Sequence, residues 1–241
     1  MRILIDVLDH LSIAGSVAVY ETLLGRRAVD RWLQTGNVGL TFGAGGSGLS
    51  SMVFAASDLD KAARLLERRA VPGERKGDRL VLSREATHGV PIELCERKER
   101  VAPSPLAGSD ETAAISALDH IVVRTANPER AIAFYAGRLG LDLRLDRSNP
   151  AWGSRLLFFR CGDLVVEIAH DLRKGVSDGP DHLWGLSWRT PDIAQANARL
   201  RAAGIDVSEP RDGRRPGSQV FTVKNHTGGV PTLVSGGIGR W

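Results

Sequence analysis

The sequence predicts an α+β fold built from four βαβββ modules in two tandem halves. The first observation is a repeated strand start, "LDHLSI" at Leu8 to Ile13 and "LDHIVV" at Leu118 to Val123. Each copy is followed by a helical segment that ends in Tyr-x-x-x-Leu-Gly, "YETLLG" and "YAGRLG". A later unit of strand, helix and strands also occurs twice, and each copy ends with a strand introduced by Gly-Val-Pro, "GVPIEL" and "GVPTLV". Repetition at this scale indicates internal duplication, which decides the fold class.

The helices are predicted from amphipathic runs that follow capping residues. In "ANPER", Asn127 is placed as the N-cap and Pro128 as the first helical residue. "SSMVFAASDLDKAARLLERRA" and "GLSWRTPDIAQANARLRAAGI" share a short apolar strand, a Ser or Thr cap and an amphipathic helix. These caps are predicted at Ser57 and Thr190.

The chain of 241 residues is long enough for two domains with a core each. "RVAPSPLAGSDETAAIS" is rich in Pro, Ser, Ala and Gly, which is typical of a linker. The predicted division is an N-terminal domain at 1–100, a linker at 101–115 and a C-terminal domain at 116–241. Each module is one helix and a small sheet with one open face, so modules are expected to pair and to enclose a cleft.

Composition narrows the classes of function. The 32 Lys and Arg residues exceed the 28 Asp and Glu residues only slightly, and no aromatic residues interleave with basic ones, so no nucleic-acid partner is expected. No apolar run approaches the ~18 residues that a membrane span needs. The start "MRILIDVLDH" is interpreted as a first strand, and the two cysteines form no disulfide framework, so a cytoplasmic location is expected. The basic loop "PRDGRRPG" is either a solvated loop or a contact for an anionic substrate.

Three segments then carry a resemblance to a known family: "LDHIVVRTANPERAIAFYAGRLGLDL", "GDLVVEIAHD" and "DIAQANARLRAAGI". They resemble the vicinal oxygen chelate superfamily, which includes glyoxalases, bleomycin-resistance proteins and extradiol dioxygenases. The similarity covers nearly all of residues 116–235, and residues 3–97 look like a more divergent copy. The resemblance implies two tandem glyoxalase-like domains, with cupped mixed sheets, external helices and a divalent metal on His, Glu or Gln.

Carried over residue by residue, the resemblance implies metal ligands at His120 and Glu167 in the second half and at His10 and Glu93 in the first. The remaining ligand positions carry residues that cannot ligate or ligate poorly, such as Leu233. One divalent metal, Fe, Mn, Zn or Ni, is therefore expected in an incomplete site.

Glu167 is also the predicted catalytic residue, because it lies in the apolar strand "LVVEIA". An unpaired carboxylate there would cost several kcal/mol, so it needs a cation, a hydrogen-bond partner or a chemical role. The alternative is a structural ion pair with an arginine of a facing strand, such as Arg155 or Arg189.

A substrate pocket is predicted beside these residues. Gly185 is expected to leave room where the family has a ligand, and the apolar side chains Trp152, Phe158 and Trp188 are expected to line the space. Core packing is the alternative for each aromatic residue.

The leading function is a small-molecule enzyme of the lyase, isomerase or dioxygenase type. In that reaction a metal would polarise a substrate oxygen while a carboxylate or histidine moves a proton. The alternatives are a metal-free protein that binds or sequesters a small molecule, and a chain in which one half is only a structural partner for the other. The expected partner is a small molecule, with no nucleic acid and no membrane, and the expected state is a monomer or a homodimer.

Overall fold

The computed structural model describes residues 5–99, 101–108 and 110–237. The first half forms one mixed sheet of seven strands. Its elements are β1 (Ile5–Ala14), α1 (Val17–Leu24), β2 (Trp32–Gln34), β3 (Gly39–Gly43), β4 (Gly48–Ala56), α2 (Leu59–Arg68), β5 (Gly73–Lys76), β6 (Arg79–Leu82) and β7 (Ile92–Glu96). The strand order is β2-β3-β1-β4-β7-β6-β5.

The second half forms a mixed sheet of eight strands. Its elements are β8 (Ala117–Arg124), α3 (Pro128–Ile132) with a π-helical continuation (Ala133–Arg138), β9 (Asp142–Asn149), β10 (Ser154–Cys161), β11 (Leu164–Asp171), β12 (His182–Arg189), α4 (Ile193–Ala202), β13 (Arg211–Asp212), β14 (Gln219–Val223) and β15 (Thr232–Gly236). The strand order is β13-β14-β15-β12-β8-β11-β10-β9.

The two sheets repeat one plan of paired modules. In each sheet the first strands of two modules lie antiparallel at the centre, β1 beside β4 and β8 beside β12. Each first strand also pairs in parallel with the last strand of its own module, as β8 does with β11. The predicted α+β fold of tandem modules is confirmed, although the first module has two strands after its helix where the others have three.

The helices begin close to the predicted residues. Asn127 accepts a hydrogen bond from a backbone N–H of α3, with Pro128 at the start of the helix, as predicted. The caps of α2 and α4 are Asp58 and Asp192 rather than Ser57 and Thr190, so those two predictions are one and two residues too early. The aspartate carboxylates accept the first-turn N–H groups in these helices.

The main hydrophobic core lies between each sheet and its helices and runs continuously through both halves. The opposite face of each sheet carries the polar side chains. We call this face the first cup in the seven-stranded sheet and the second cup in the eight-stranded sheet. Within the described ranges, no helix has both the length and the apolar character needed to cross a membrane.

Candidate functional site

The repeated Asp-His pair forms a β-bulge in both halves. Along β1 the pairing with β4 skips Asp9, and along β8 the pairing with β12 skips Asp119. In a regular strand two consecutive side chains point to opposite faces, but a bulge re-aims one of them. The Asp119 carboxylate therefore accepts a hydrogen bond of 2.8 Å from Nδ1 of His120, and Asp9 accepts one of 2.7 Å from His10. Each histidine is held with Nδ1 protonated and Nε2 directed away from the aspartate.

In the second cup, Nε2 of His120 faces Glu167. The parallel pairing of β8 with β11 sets Glu167 opposite Val122, two residues beyond His120 on the same face of the sheet. The distance from Nε2 of His120 to Oε2 of Glu167 is 3.6 Å, and the two side chains are 19% and 14% exposed. Asp119, His120 and Glu167 thus form a connected line that reaches the surface of the cup.

The pKa of His120 reflects this setting. Burial alone lowers the pKa, but the hydrogen bond to Asp119 and the negative charges of Glu167 and Asp119 outweigh burial. The pKa of His120 is therefore raised above its usual value. A histidine that exchanges a proton beside a carboxylate can serve in acid and base chemistry.

The alternative of a structural ion pair for Glu167 is not supported. Arg155 donates hydrogen bonds to Asp146 and Glu129, and Arg189 pairs with Asp163. The ionisable partner that the structure gives Glu167 is His120.

The donor set of the second cup does not fit a resident divalent metal. Among the residues that the structure describes, no three His, Cys, Asp or Glu side chains come together as metal ligands. His120 is in register with Ser187, and Ser187 is in register with Leu233, so the strands beyond His120 supply a hydroxyl and an alkyl group. Metal sites built on His and carboxylate ligands generally take three protein ligands or more, and His120 and Glu167 supply two.

Ser187 is not among the site residues predicted from the sequence. Its side chain is buried next to the His120 position, and its hydroxyl has no hydrogen-bond partner in the described part of the chain. A buried hydroxyl without a partner is uncommon, so this group is suited to bonding a ligand in the cup. Only the strand register, which the sequence does not show, places Ser187 beside His120.

In the first cup, an arginine side chain lies between the histidine and the glutamate. The Arg79 guanidinium donates to Nε2 of His10 at 2.8 Å and to Oε2 of Glu93 at 3.3 Å, so a fixed cation lies between the two predicted ligands. The Trp32 ring packs against His10, with ring centroids 5.2 Å apart, and covers Gly39, where a Cβ atom would collide with the ring. The predicted pair His10 and Glu93 is therefore brought together, but around an arginine.

The predicted pocket residues are divided between two environments. Phe158 is in register with Glu167 and Leu145, so it lies on the surface of the second cup. Leu145 is 48% exposed and Trp152, after β9, is 43% exposed. These three side chains give the second cup an accessible apolar wall.

The two other pocket predictions need correction. Gly185 does not leave room for a ligand, because a Cβ atom there would lie 2.8 Å from the Pro231 carbonyl oxygen. That oxygen accepts the hydrogen bond of the Leu186 N–H, so the space is occupied by backbone. Trp188 is fully buried in the main core, because it alternates with Gly185 and Ser187 along β12 and shares the core face of the sheet with Leu186.

The fold and site define a class of protein with two tandem cupped sheets, each made by a pair of modules. Residues 117–230 match the sequence model of the Glyoxalase/Bleomycin resistance protein/Dioxygenase superfamily. No curated protein sequence is significantly similar to the chain.

Two of the matching solved structures share the fold over nearly the whole chain. The halotolerant catechol dioxygenase BphC aligns with a TM-score of 0.69 and 13% identity over 98% of this chain and 87% of that one. The Mn(II)-bound glyoxalase from Novosphingobium aromaticivorans aligns with a TM-score of 0.69 and 14% identity over 99% of this chain and 84% of that one. Methylmalonyl-CoA epimerase from Mycobacterium tuberculosis aligns over 52% of this chain and 90% of its own, with a TM-score of 0.44 and 20% identity.

Proposed function

We propose that the second cup binds a small organic molecule and that His120 and Glu167 transfer a proton on it without a resident metal. The observation that carries the proposal is the line from Asp119 through His120 to Glu167 on the surface of the second cup. Val122 and Phe158, the neighbours of Glu167 in register, are apolar. The apolar part of a ligand can pack on such a surface, while the two ionisable side chains act on one part of the same ligand.

The reaction class follows from what the two groups can exchange. The Glu167 carboxylate takes a proton from a carbon next to a substrate carbonyl; the electron pair of the C–H bond forms a C=C bond, and the π pair of the carbonyl moves onto its oxygen. The His120 Nε2–H and the Ser187 hydroxyl are the donors available to that oxygen. Return of the proton to the same or a neighbouring carbon completes an isomerisation, and departure of a neighbouring group completes an elimination. Asp119 acts as a positioning residue that holds His120 in place.

The alternative function is a metal-free protein that sequesters an apolar compound. The exposed apolar wall at Leu145 and Trp152 favours this alternative, since such surface is suited to binding. It requires the same cup but no proton transfer.

The experiment is hydrogen exchange in D2O with a panel of small ketones, hydroxyketones and thioesters, followed by loss of the α-proton signal in NMR. We expect exchange by protein that holds less than about 0.1 metal per chain after chelation. Glu167→Gln and His120→Gln are each expected to slow exchange about 100-fold or more. Glu93→Gln is the matched control in the first cup and should leave the rate unchanged.

A rate that depends on added metal, or full exchange in Glu167→Gln, would contradict the proposal. Saturable thermal stabilisation by aromatic ligands, with no exchange of any compound, would support the sequestering function instead.

A further inference from the structure

Segments from the two edges of the eight-stranded sheet meet over the second cup. β13 and β9 are the outermost strands on opposite sides of the sheet. Arg214 follows β13 and Trp152 follows β9, yet the Arg214 guanidinium carbon lies 4.2 Å from the centroid of a Trp152 ring. The segments that follow the two edge strands therefore meet, and the contact between Arg214 and Trp152 forms one side of the mouth of the cup.

Two more arginines lie along the same side. Arg147 is in register with Leu156, Leu156 with Ala169, and Ala169 with Arg124, so the four residues form a row across β9, β10, β11 and β8. This row is two residues along the strands from the row that contains Glu167, and it lies on the same face.

Both arginines of the row contact a tryptophan ring. The Arg147 guanidinium carbon lies 5.3 Å from the Trp152 ring centroid, and that of Arg124 lies 4.2 Å from the Trp184 centroid. These distances are within the range of cation–π interactions. With Arg214, three guanidinium groups are fixed by two tryptophans at the mouth.

None of these three arginines pairs with a carboxylate of the described residues. Other arginines of this half do pair, as Arg144 does with Asp142 and Arg173 with Asp171. Stacking on an aromatic ring fixes the guanidinium plane and leaves its N–H edge available for an oxyanion. Three unpaired cations beside an apolar cup are a recognition surface for an anion.

We propose that Arg147 and Arg214, which share the Trp152 ring, bind an anionic group, carboxylate or phosphate, of the molecule that enters the second cup, and that Arg124 adds positive charge farther along the same row. This inference rests on the proposed function and names its substrate class. The row that holds Arg147 lies about 7 Å along the strands from the row that holds Glu167, so the anion binds to one side of the reacting carbon. The body between them packs on Leu145 and Phe158. The substrate is thus an organic anion with an apolar or aromatic body.

The test is an NMR titration of the full chain with benzoate, phenyl phosphate and the neutral analogue benzamide, followed at the Trp152 indole N–H. Trp152→Phe assigns the signal. We expect one or both anions to bind about tenfold more tightly than benzamide, and this preference to fall as salt is raised. Tighter binding of phenyl phosphate would identify a phosphate as the group, and tighter binding of benzoate a carboxylate.

Arginine variants distinguish binding of the anion by particular side chains from a general effect of the net positive charge. Arg147→Gln and Arg214→Gln should each remove most of the preference and leave benzamide binding unchanged. Arg144→Gln is the matched control on β9, because its guanidinium pairs with Asp142, and it should bind as the wild type does. Equal affinity for anions and benzamide, no binding of either anion up to about 50 mM, or an equal loss in Arg144→Gln would overturn the inference.

The two proposals fail separately. If the anion preference is missing while deuterium exchange still depends on Glu167, only the substrate class is wrong. If the preference is present while no compound exchanges, anion recognition stands and the proton transfer is wrong.

Discussion

At the scale of single residues, one Asp-His pair occurs in two cups and meets a different third group in each. In the first cup Nε2 of His10 accepts a hydrogen bond from Arg79, while in the second Nε2 of His120 faces Glu167. The first histidine is thereby fixed in a hydrogen-bonded cluster and the second has a lone pair or proton available to a ligand. On the proposed function, the group opposite Nε2, rather than the Asp-His motif, distinguishes the second cup from the first.

This difference predicts that a metal site can be created in the first cup by one substitution. Replacing Arg79 with histidine removes the fixed cation and adds a third ligand to His10 and Glu93. We expect Arg79→His to bind about one Zn²⁺ per chain, because three protein ligands and a water complete a tetrahedral site. Metal analysis after dialysis against Zn²⁺, with Co²⁺ absorption as a check of geometry, measures this.

Arg79→Gln is the control for that substitution, since it removes the cation without adding a strong ligand. It and the wild type should retain less than about 0.1 metal per chain. If a folded Arg79→His chain stays equally free of metal, the idea that Arg79 occupies a metal position is wrong.

At the scale of elements, the contact between β12 and the loop before β15 depends on Gly185. An alanine Cβ there would lie 2.8 Å from the Pro231 carbonyl oxygen, which is backbone and cannot move without weakening its bond to the Leu186 N–H. We expect Gly185→Ala to reduce the free energy of unfolding by about 1–3 kcal/mol, as measured by urea denaturation.

Gly137 offers the opposite case. It lies in the π-helical segment, and a Cβ atom there would meet no other atom within 4 Å. Gly137→Ala should raise stability by about 0.5–1 kcal/mol because alanine loses less backbone entropy in a helix. Equal effects of the two substitutions would show that glycine content, not the Pro231 contact, controls stability at residue 185.

The sequence predicts most of these elements because the determining signals are local. Repeated strand starts, alternating apolar residues and capping groups are readable over ten residues or fewer, and the predicted modules and the Asn127 cap follow from them. The predictions are wrong where the position of a residue depends on contacts with residues far away in the sequence. Gly185 is closed off by a loop more than 40 residues later in the chain, and only the assembled sheet shows that Trp188 lies on its core face.

The candidate site is predictable only in part for the same reason. His120 and Glu167 stand out because each is polar within an apolar strand. Arg79 lies in a stretch of mixed charges that predicts a solvated surface, and only the pairing of β6 with β7 brings it to Glu93. Arg147 and Arg214 are 67 residues apart and meet on Trp152 only because the segments that follow the two edge strands come together.

At the scale of the whole molecule, the two halves pack as one body. The Asn37 side chain donates to the Leu118 carbonyl at 2.7 Å, the Gly48 N–H to the Gly228 carbonyl at 2.7 Å, and the Asp181 N–H to the His88 carbonyl at 2.8 Å. The second cup is therefore held partly by contacts outside its own half, which supports a structural contribution from the first half.

His88 is a titratable group at this junction, and we expect it to make the stability depend on pH. Its ring packs edge-on against Phe134 of the second half, with centroids 5.9 Å apart. Burial and then the positive charge of Arg130 lower the pKa of His88, and the opposing charge of Asp181 does not offset them. In the unfolded chain the histidine has its ordinary pKa of about 6.5 and takes up a proton at higher pH than in the fold.

Stability should consequently fall as the pH drops below about 6.5, and this loss is complete only below the lower pKa of the folded state. We expect His88→Asn to lose less stability than the wild type between pH 7.5 and pH 5.0 in urea unfolding. Asparagine suits the left-handed backbone there, where φ is 54°. His226→Asn, at an exposed histidine with φ of 52°, is the matched control and should show the wild-type acid loss. If His88→Asn shows the full loss as well, protonation at the junction between the halves is not its cause.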